Sequence, residues 1–353
     1  MSRYAEFFDA ELAPLVRRMA DRPRDGRSAE TEADNRQIRA IIWDGLVGLG
    51  GPAAALPDSE GGDRAGLVDL AELLGSMVCQ GPLLDTLTAT ALLHRAGADK
   101  LLAAVAGGAA VALAFRADAA GPAEPAALTV DGDVVHGRRT FVGFAAEADY
   151  LLVVGATEHG TRIALTPRDH PAVAVRRYEE VSRSELYEMR LDGAPVLGWL
   201  GDADDWRWAL AGARVRQAGY LVGLAQGALD LAVAYAKERR QFGKPIGRFQ
   251  ALAFRLSELS VRIDAARLLT RAAAAEVDGA VEPLAAAQAL ATAAELARVV
   301  TTAAMQVNGA AGMLASCDTQ LFYRHAAVEA LRLGSPTQLR AEVAPLLAAP
   351  RSS

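Results

Sequence analysis

A chain of 353 residues exceeds the ~250–300 at which one hydrophobic core stops growing, so two or three substructures are expected. An apolar fraction of 52% with 23% charged residues belongs to a globular chain and excludes a disordered one. A net charge of −6, with no dominant basic block outside one central stretch, argues against a nucleic-acid binder.

The start, MSRYAEFFDAEL, is amphipathic and acidic with no signal-peptide pattern, and the longest apolar runs, such as 103–115, are too short to cross a bilayer. Cys79 and Cys317 have no CxxC spacing and read as free thiols of a reducing compartment, so a cytoplasmic location is expected. Residues 1–20 and 34–49 carry helical apolar spacing, separated by a polar linker over 21–32. The glycine-rich stretch 48–62 follows no strand and misses the dinucleotide fingerprint, so it reads as a connector. From 64 to 106 the spacing is helical again, with Leu67, Leu70, Leu73 and Leu74 forming a core-facing stripe.

Near Val111 the texture changes. VALAFRA, ALTVDGDVVHG, TFVGF, DYLLVVGAT, TRIALTP and AVAVRRYEEV are short alternating or apolar runs divided by Gly, Asp and Pro, which predicts strands, with a hairpin turn at 131–133. A β-domain is thus expected over 111–196. The helical period then returns and holds to the end, broken near 243–247, 279–283, 308–312 and 334–336. Four helices with short connections predict a bundle.

The stretch 237–250, KERRQFGKPIGRFQ, ends one helical pattern and opens the next at about Phe249, and so reads as helix, turn, helix. It packs four positive charges into eight residues: Lys237, Arg239, Arg240 and Lys244. Arginine forks beside a turn with free N–H groups, next to a glutamine amide and a phenylalanine ring, suit a phosphate or pyrophosphate group; the same residues also suit a solvated helix C-terminus. His94, His136, His159 and His170 are scattered and form no metal-ligand pattern, and no GxSxG context points to a hydrolase.

The stretch ERRQFGKPIGRFQ resembles the signature of the acyl-CoA dehydrogenase family. The likeness runs back through AGARVRQAGYLVGLAQGALDLAVAYAKERRQFG and forward to AAMQVNGAAGMLASCDTQLFYRHAAVEALRLGSPTQLR, covering about 211–340. It implies an α+β, mostly α fold: an N-terminal helical domain over 1–110, a middle β-barrel-like domain over 111–200 and a C-terminal four-helix bundle over 201–353. It also implies FAD and the α,β-dehydrogenation of an acyl thioester carried on CoA or a carrier protein, with electron-transfer flavoprotein as the usual acceptor.

By the same resemblance Arg239, Gln241 and Phe242 sit where relatives contact the flavin pyrophosphate and adenosine of the neighbouring subunit, and Gln250 falls on a further adenine-nucleotide contact. Gln306, Val307, Gly309 and Ala310 match the segment touching the flavin across the dimer; Gly309 and Gly312 either allow close backbone approach there or simply stop a helix. Arg214 matches an arginine near the substrate. Phe141 and Gly143 fall on the aromatic and hydroxyl positions beside the flavin ring, the second without its hydroxyl, and FRADAAGPAEP lacks the TEPxxGSD pattern.

The larger departure concerns the base that must take the α-proton while the hydride goes to the flavin. Leu333 stands at the usual glutamate position and Ala213 at the alternative one, and both are apolar. Glu329, four residues before Leu333, is a candidate replacement if the helix continues, or else a solvent-facing glutamate; His325 is placed similarly. Three readings follow. The chain is one subunit of a hetero-oligomer, dimer or tetramer, resembling the divergent bacterial heteromers of steroid degradation. Alternatively it is a homo-oligomeric flavoenzyme with a relocated base, a carrier-bound substrate or monooxygenase chemistry. In the third reading it is a non-catalytic scaffold that binds no flavin.

Overall fold

Small side chains decide how closely the helices of this chain approach one another. The computed structural model describes residues 29–57, 66–117, 125–178, 184–277, 280–314 and 317–348. The helix expected over 1–20, and parts of the loops over 48–62 and 115–125, lie outside these residues. Among the described residues, the helices α1 (Ala29–Gly48), α2 (Gly66–Ser76), α3 (Leu83–Arg95) and α4 (Asp99–Ala106) precede the strands. Leu67, Leu70 and Leu74 of α2 are buried, and Leu73 is half-buried beside them.

Among the strands that follow, six lie in the runs expected, while those over 186–195 and 198–201 match none of them; they form two four-stranded sheets. One runs β1–β4–β5–β8 (Val111–Ala114, Tyr150–Thr157, Gly160–Pro167, Gly198–Gly201), with β1 parallel to β4 and the other pairs antiparallel. The other runs β2–β3–β7–β6 (Thr129–Asp131, Val134–Gly143, Leu186–Pro195, Val173–Arg177) and is antiparallel throughout. Asp131 pairs with Val134 across a two-residue turn in which Gly132 takes a positive φ, as the DGD stretch predicts.

Helix α5 (Ala203–Glu238) is the axis of the molecule. It starts on a capping box, with the Asp202 carboxylate accepting from the Asp204 and Asp205 N–H groups and the Asp205 side chain accepting from the Asp202 N–H. Its glycines let α2 lie directly on its backbone: a Cβ on Gly223 would stand 1.9 Å from the Glu72 carbonyl oxygen. Among the described helices α5 alone is long and apolar enough to span a bilayer, but 67% of its most apolar window is buried inside the protein, the mark of a core helix.

After α5 come α6 (Gln250–Ala274), α7 (Pro283–Asn308), α8 (Thr319–Glu329) and α9 (Pro336–Ala348), broken where Gly334 takes φ +136° and Pro336 restarts the helix. α7 buries an alanine-rich face against α5. α6 buries only one side, through Leu259, Ile263, Ala266, Thr270 and Ala273. On its other side Phe254, Val261 and Leu268 recur every seven residues and remain 64%, 68% and 67% exposed.

Candidate active site

The stretch at the end of α5 is not a plain helix–turn–helix break. Its backbone forms a miniature antiparallel hairpin, with β9 (Arg240–Gln241) paired to β10 (Lys244–Pro245). The two residues between them, Phe242 and Gly243, take φ +50° and +80°, the signs a two-residue type I′ turn demands. Glycine adopts that conformation freely, whereas a phenylalanine there costs about 1–3 kcal/mol. The strain lifts the Phe242 ring clear of the chain, 91% exposed, meeting Phe249 edge-on at 6.1 Å. Lys244 places its ammonium 4.4 Å over the Phe249 ring. Arg239, Arg240, Gln241 and Gln250, the first residue of α6, are all exposed.

Gln306, Gly309 and Ala310 are exposed at the end of α7, and Val307 is half-buried. Gly309 ends the helix at φ +58° and ψ −140°, and Gly312 presses against Met305 and Asn308 with 3.0 Å contacts for any added Cβ. Consecutive helices joined by short hairpins alternate in direction, so the end of α7 is expected on the same side of this helical region as the end of α5. Both exposed sets are therefore expected at one end of the molecule.

The two base positions and their neighbours gather elsewhere. Leu333 and Ala213 are both 5% exposed and apolar. Arg214 beside them is buried, with its guanidinium in a two-pronged ion pair with Glu342 at 2.8 Å and its Nε donating to the Leu333 carbonyl at 3.3 Å. The expected substrate arginine is thus tied to α9, by a glutamate with no signal in the sequence. Helix α8 stops at Glu329 instead of running on to Leu333. Glu329 is nevertheless not solvent-facing: it is buried, accepts from Gln217 Nε2 at 2.9 Å and lies 3.8 Å from Arg332. His325 is buried, 2.6 Å from the Gln80 amide nitrogen and 3.4 Å from the Ser184 hydroxyl, a structural setting.

Arg332 in turn donates to Asp85 at 2.6 Å, and Asp85 also accepts from the Leu113 N–H. Burial pushes the Asp85 carboxyl up while Arg332 pulls it down; burial, then Glu329, hold the Tyr220 hydroxyl well above its usual range. Beside Arg332 and Glu329 lies a partly open cavity of about 40 Å³, lined in part by Trp43, Cys79, Leu83, Phe144, Tyr220 and Glu329. The Cys79 thiol is pushed up to about 12 by burial and is inert there.

At the edge of this region Phe141 sits on a bulge at φ +54°, half-exposed and stacked on Tyr178 at 5.3 Å. Gly143 is buried, and a Cβ on it would stand 2.9 Å from Arg332 Nη2. Sequence reasoning overlooked Arg332, Asp85, Gln217 and Tyr220. One signal was present: Asp85 is a lone acid in an otherwise apolar and threonine-rich helix, LLDTLTATALL, and an acid in such a run demands a buried partner.

The two regions lie far apart. Arg239 is 25 residues beyond Arg214 on one continuous helix, ~37 Å at 1.5 Å per residue. The hairpin's donor set, guanidinium forks with a carboxamide and an aromatic ring, fits the pyrophosphate and adenosine end of a flavin dinucleotide. The ring side does not fit as well, because Gly143 offers no hydroxyl and the Arg332 guanidinium stands against it.

Residues 204–344 match the model of the acyl-CoA dehydrogenase C-terminal domain. The 3-sulfinopropanoyl-CoA desulfinase of Paraburkholderia xenovorans is 35% identical over 55% of this chain and 50% of its own length. Acyl-CoA dehydrogenase FadE28 of Mycobacterium tuberculosis is 34% identical over 63% of this chain and 67% of its own. The chain's matches span 50% and 67% of the length of these two relatives. Among solved structures, the ChsE4-ChsE5 complex from Mycobacterium tuberculosis aligns over 99% of both chains at 25% identity and TM-score 0.83. A Tcur3481-Tcur3483 steroid ACAD variant aligns over 98% of both at 28% identity and TM-score 0.82. With this fold, a match to the family's C-terminal domain and a relative 34% identical covered to 67% of its length, the chain belongs to the acyl-CoA dehydrogenase family.

Proposed function

We propose that this chain is one subunit of a hetero-oligomeric, FAD-dependent acyl-CoA dehydrogenase, lending its hairpin to a flavin whose reacting end lies in a related chain that also supplies the base. The observation that carries the reading is the separation along α5. The exposed cationic hairpin stands ~37 Å from the chain's own base positions, and those positions, Leu333 and Ala213, are buried and apolar.

In this reading Arg239 and Gln241 bind the flavin pyrophosphate, Phe242 and Gln250 meet the adenosine, and Gln306, Val307, Gly309 and Ala310 line its approach from the end of α7. The bound flavin would accept the β-hydride of an acyl thioester and pass electrons to an acceptor such as electron-transfer flavoprotein. This chain's part is to neutralise phosphate charge and fix the dinucleotide, since its apolar base positions can take no α-proton. The exposed Phe254, Val261 and Leu268 stripe supports an assembled state, and the two-chain ChsE4-ChsE5 complex among the relatives supports a related chain as partner.

The test is to co-express the chain with a related dehydrogenase chain and assay acyl-CoA oxidation with an artificial electron acceptor. We expect turnover only from the pair, abolished when the partner's catalytic glutamate is changed to glutamine. Full turnover by this chain alone would refute the reading.

One observation favours a second reading, a homo-oligomer with a relocated base: Glu329 is buried, faces the cavity and is held by Gln217. Glu329→Gln separates the two, abolishing turnover with flavin retained if Glu329 is the base and leaving turnover of the pair within about threefold if it is not.

A further inference from the structure

Three elements from distant parts of the chain meet at one ion pair between buried Asp85 and half-buried Arg332. Asp85 comes from α3, its second partner Leu113 from β1, and Arg332 from the connector between α8 and α9. The same Arg332 Nη2 that donates to Asp85 stands against Gly143 at the end of β3, 2.9 Å from where a Cβ would be. Gly143 is not held at a positive φ, so its backbone would accept a side chain; only the guanidinium excludes one. A guanidinium is normally the mobile tip of a flexible stem, but here Asp85 pins it from one side and Glu329 lies 3.8 Å away on the other.

The surroundings are equally constrained. Four non-glycine residues among those described have positive φ, and two of them, Val78 and Phe144, adjoin or line this cavity, with Phe141 two residues before Gly143. Such backbone persists only where the neighbours over-determine it, and it clusters where a fold has shaped a site. Yet the cavity it shapes, about 40 Å³, has room for about three water molecules and for neither a planar ring system nor an acyl chain.

We infer that the Arg332–Asp85 pair is an internal plug, filling this chain's own ring-side cavity against Gly143 so that the cavity takes neither flavin ring nor acyl group. The inference rests on the subunit reading above and sharpens it: the chain acts through its hairpin end alone. Arg332 is a packing residue here and touches no reacting atom.

The test has two arms. In the first, the full chain by itself is melted as wild type, Gly143→Ser, Arg332→Met and the double variant, the methionine keeping the apolar stem if alanine proves too disruptive. The plug predicts that Gly143→Ser lowers the melting midpoint in the wild type and that this effect is at least halved in the Arg332→Met background. Equal effects in both backgrounds would overturn the contact, whether or not a partner chain exists. In the second arm, the assembled pair carrying Arg332→Met is assayed with an acyl-CoA. Turnover per bound flavin within about threefold of wild type supports the plug, and a loss of about a hundredfold or more places Arg332 in a working site and overturns it.

Discussion

The hairpin that follows α5 and the cluster beside Arg214, about a third of the way along the same helix, hold their polar groups in opposite ways. At the hairpin end the charges are exposed, the backbone is strained outward and Phe242 stands in solvent. In the interior Arg214 is held by Glu342, Glu329 by Gln217, and Asp85 by the half-buried Arg332, so each has a partner within the chain. A group that has its partners inside the chain is finished as structure; one left exposed at a conformational cost is available to something outside it. On the proposed function the chain works outward through the hairpin, because its interior polar groups already have partners within the chain.

The comparison breaks most visibly at the buried end. Asp85→Ala leaves the half-buried Arg332 with only Glu329, 3.8 Å away, and should cost about 2–3 kcal/mol, below the ~3–5 kcal/mol of breaking a fully buried pair. Denaturant unfolding of the variant should show that loss with an unchanged slope, while a loss below about 1 kcal/mol would mean the pair is solvated. At the exposed end the same kind of change should leave stability alone. Arg239→Ala removes a charged donor and should weaken FAD binding by the assembled protein about 10–100-fold, read by flavin fluorescence, with unfolding moved by less than about 0.5 kcal/mol. Full flavin occupancy in that variant would sink the assignment.

Smaller effects sharpen the picture. Phe242→Gly relieves the positive φ and should stabilise the free chain by about 1 kcal/mol while weakening flavin binding, a pair of opposite signs that no purely structural role produces. On the outer sheet, hydrogen bonds from Arg138 and Arg176 hold the Glu188 carboxyl down to about 2. A carboxylate with a lowered folded-state value stabilises above its unfolded value and loses that contribution as pH falls through the folded one. Glu188→Gln should therefore destabilise at pH 7 and converge on wild type as pH falls from about 4.5 to about 2, measured by thermal melts in low salt.

How much of this was legible in the sequence follows from distance along the chain. The hairpin's donor set, though not what it binds, was readable because Arg239, Gln241 and Phe242 are neighbours in sequence. Its strand pairing was not, since a two-residue turn is ordinarily announced by Asn-Gly or Asp-Gly, and Phe-Gly gives no such cue. The change from period two to helical period near β8 marked the β-domain plainly, as Gly334 and Pro336 marked the last break. The plug was invisible: Asp85 and Arg332 are 247 residues apart, and no local pattern says which buried acid meets which arginine. Glu329 illustrates the same limit, because its burial depends on where α8 ends and on Gln217, 112 residues earlier.

The most direct test of the central claim is the absorbance spectrum and native mass of the purified chain, alone and co-expressed with a related dehydrogenase chain. The account predicts a colourless or weakly coloured chain alone and a yellow complex containing both chains. A yellow assembly of this chain alone, with one flavin per subunit, would contradict it and return attention to Glu329 as the base.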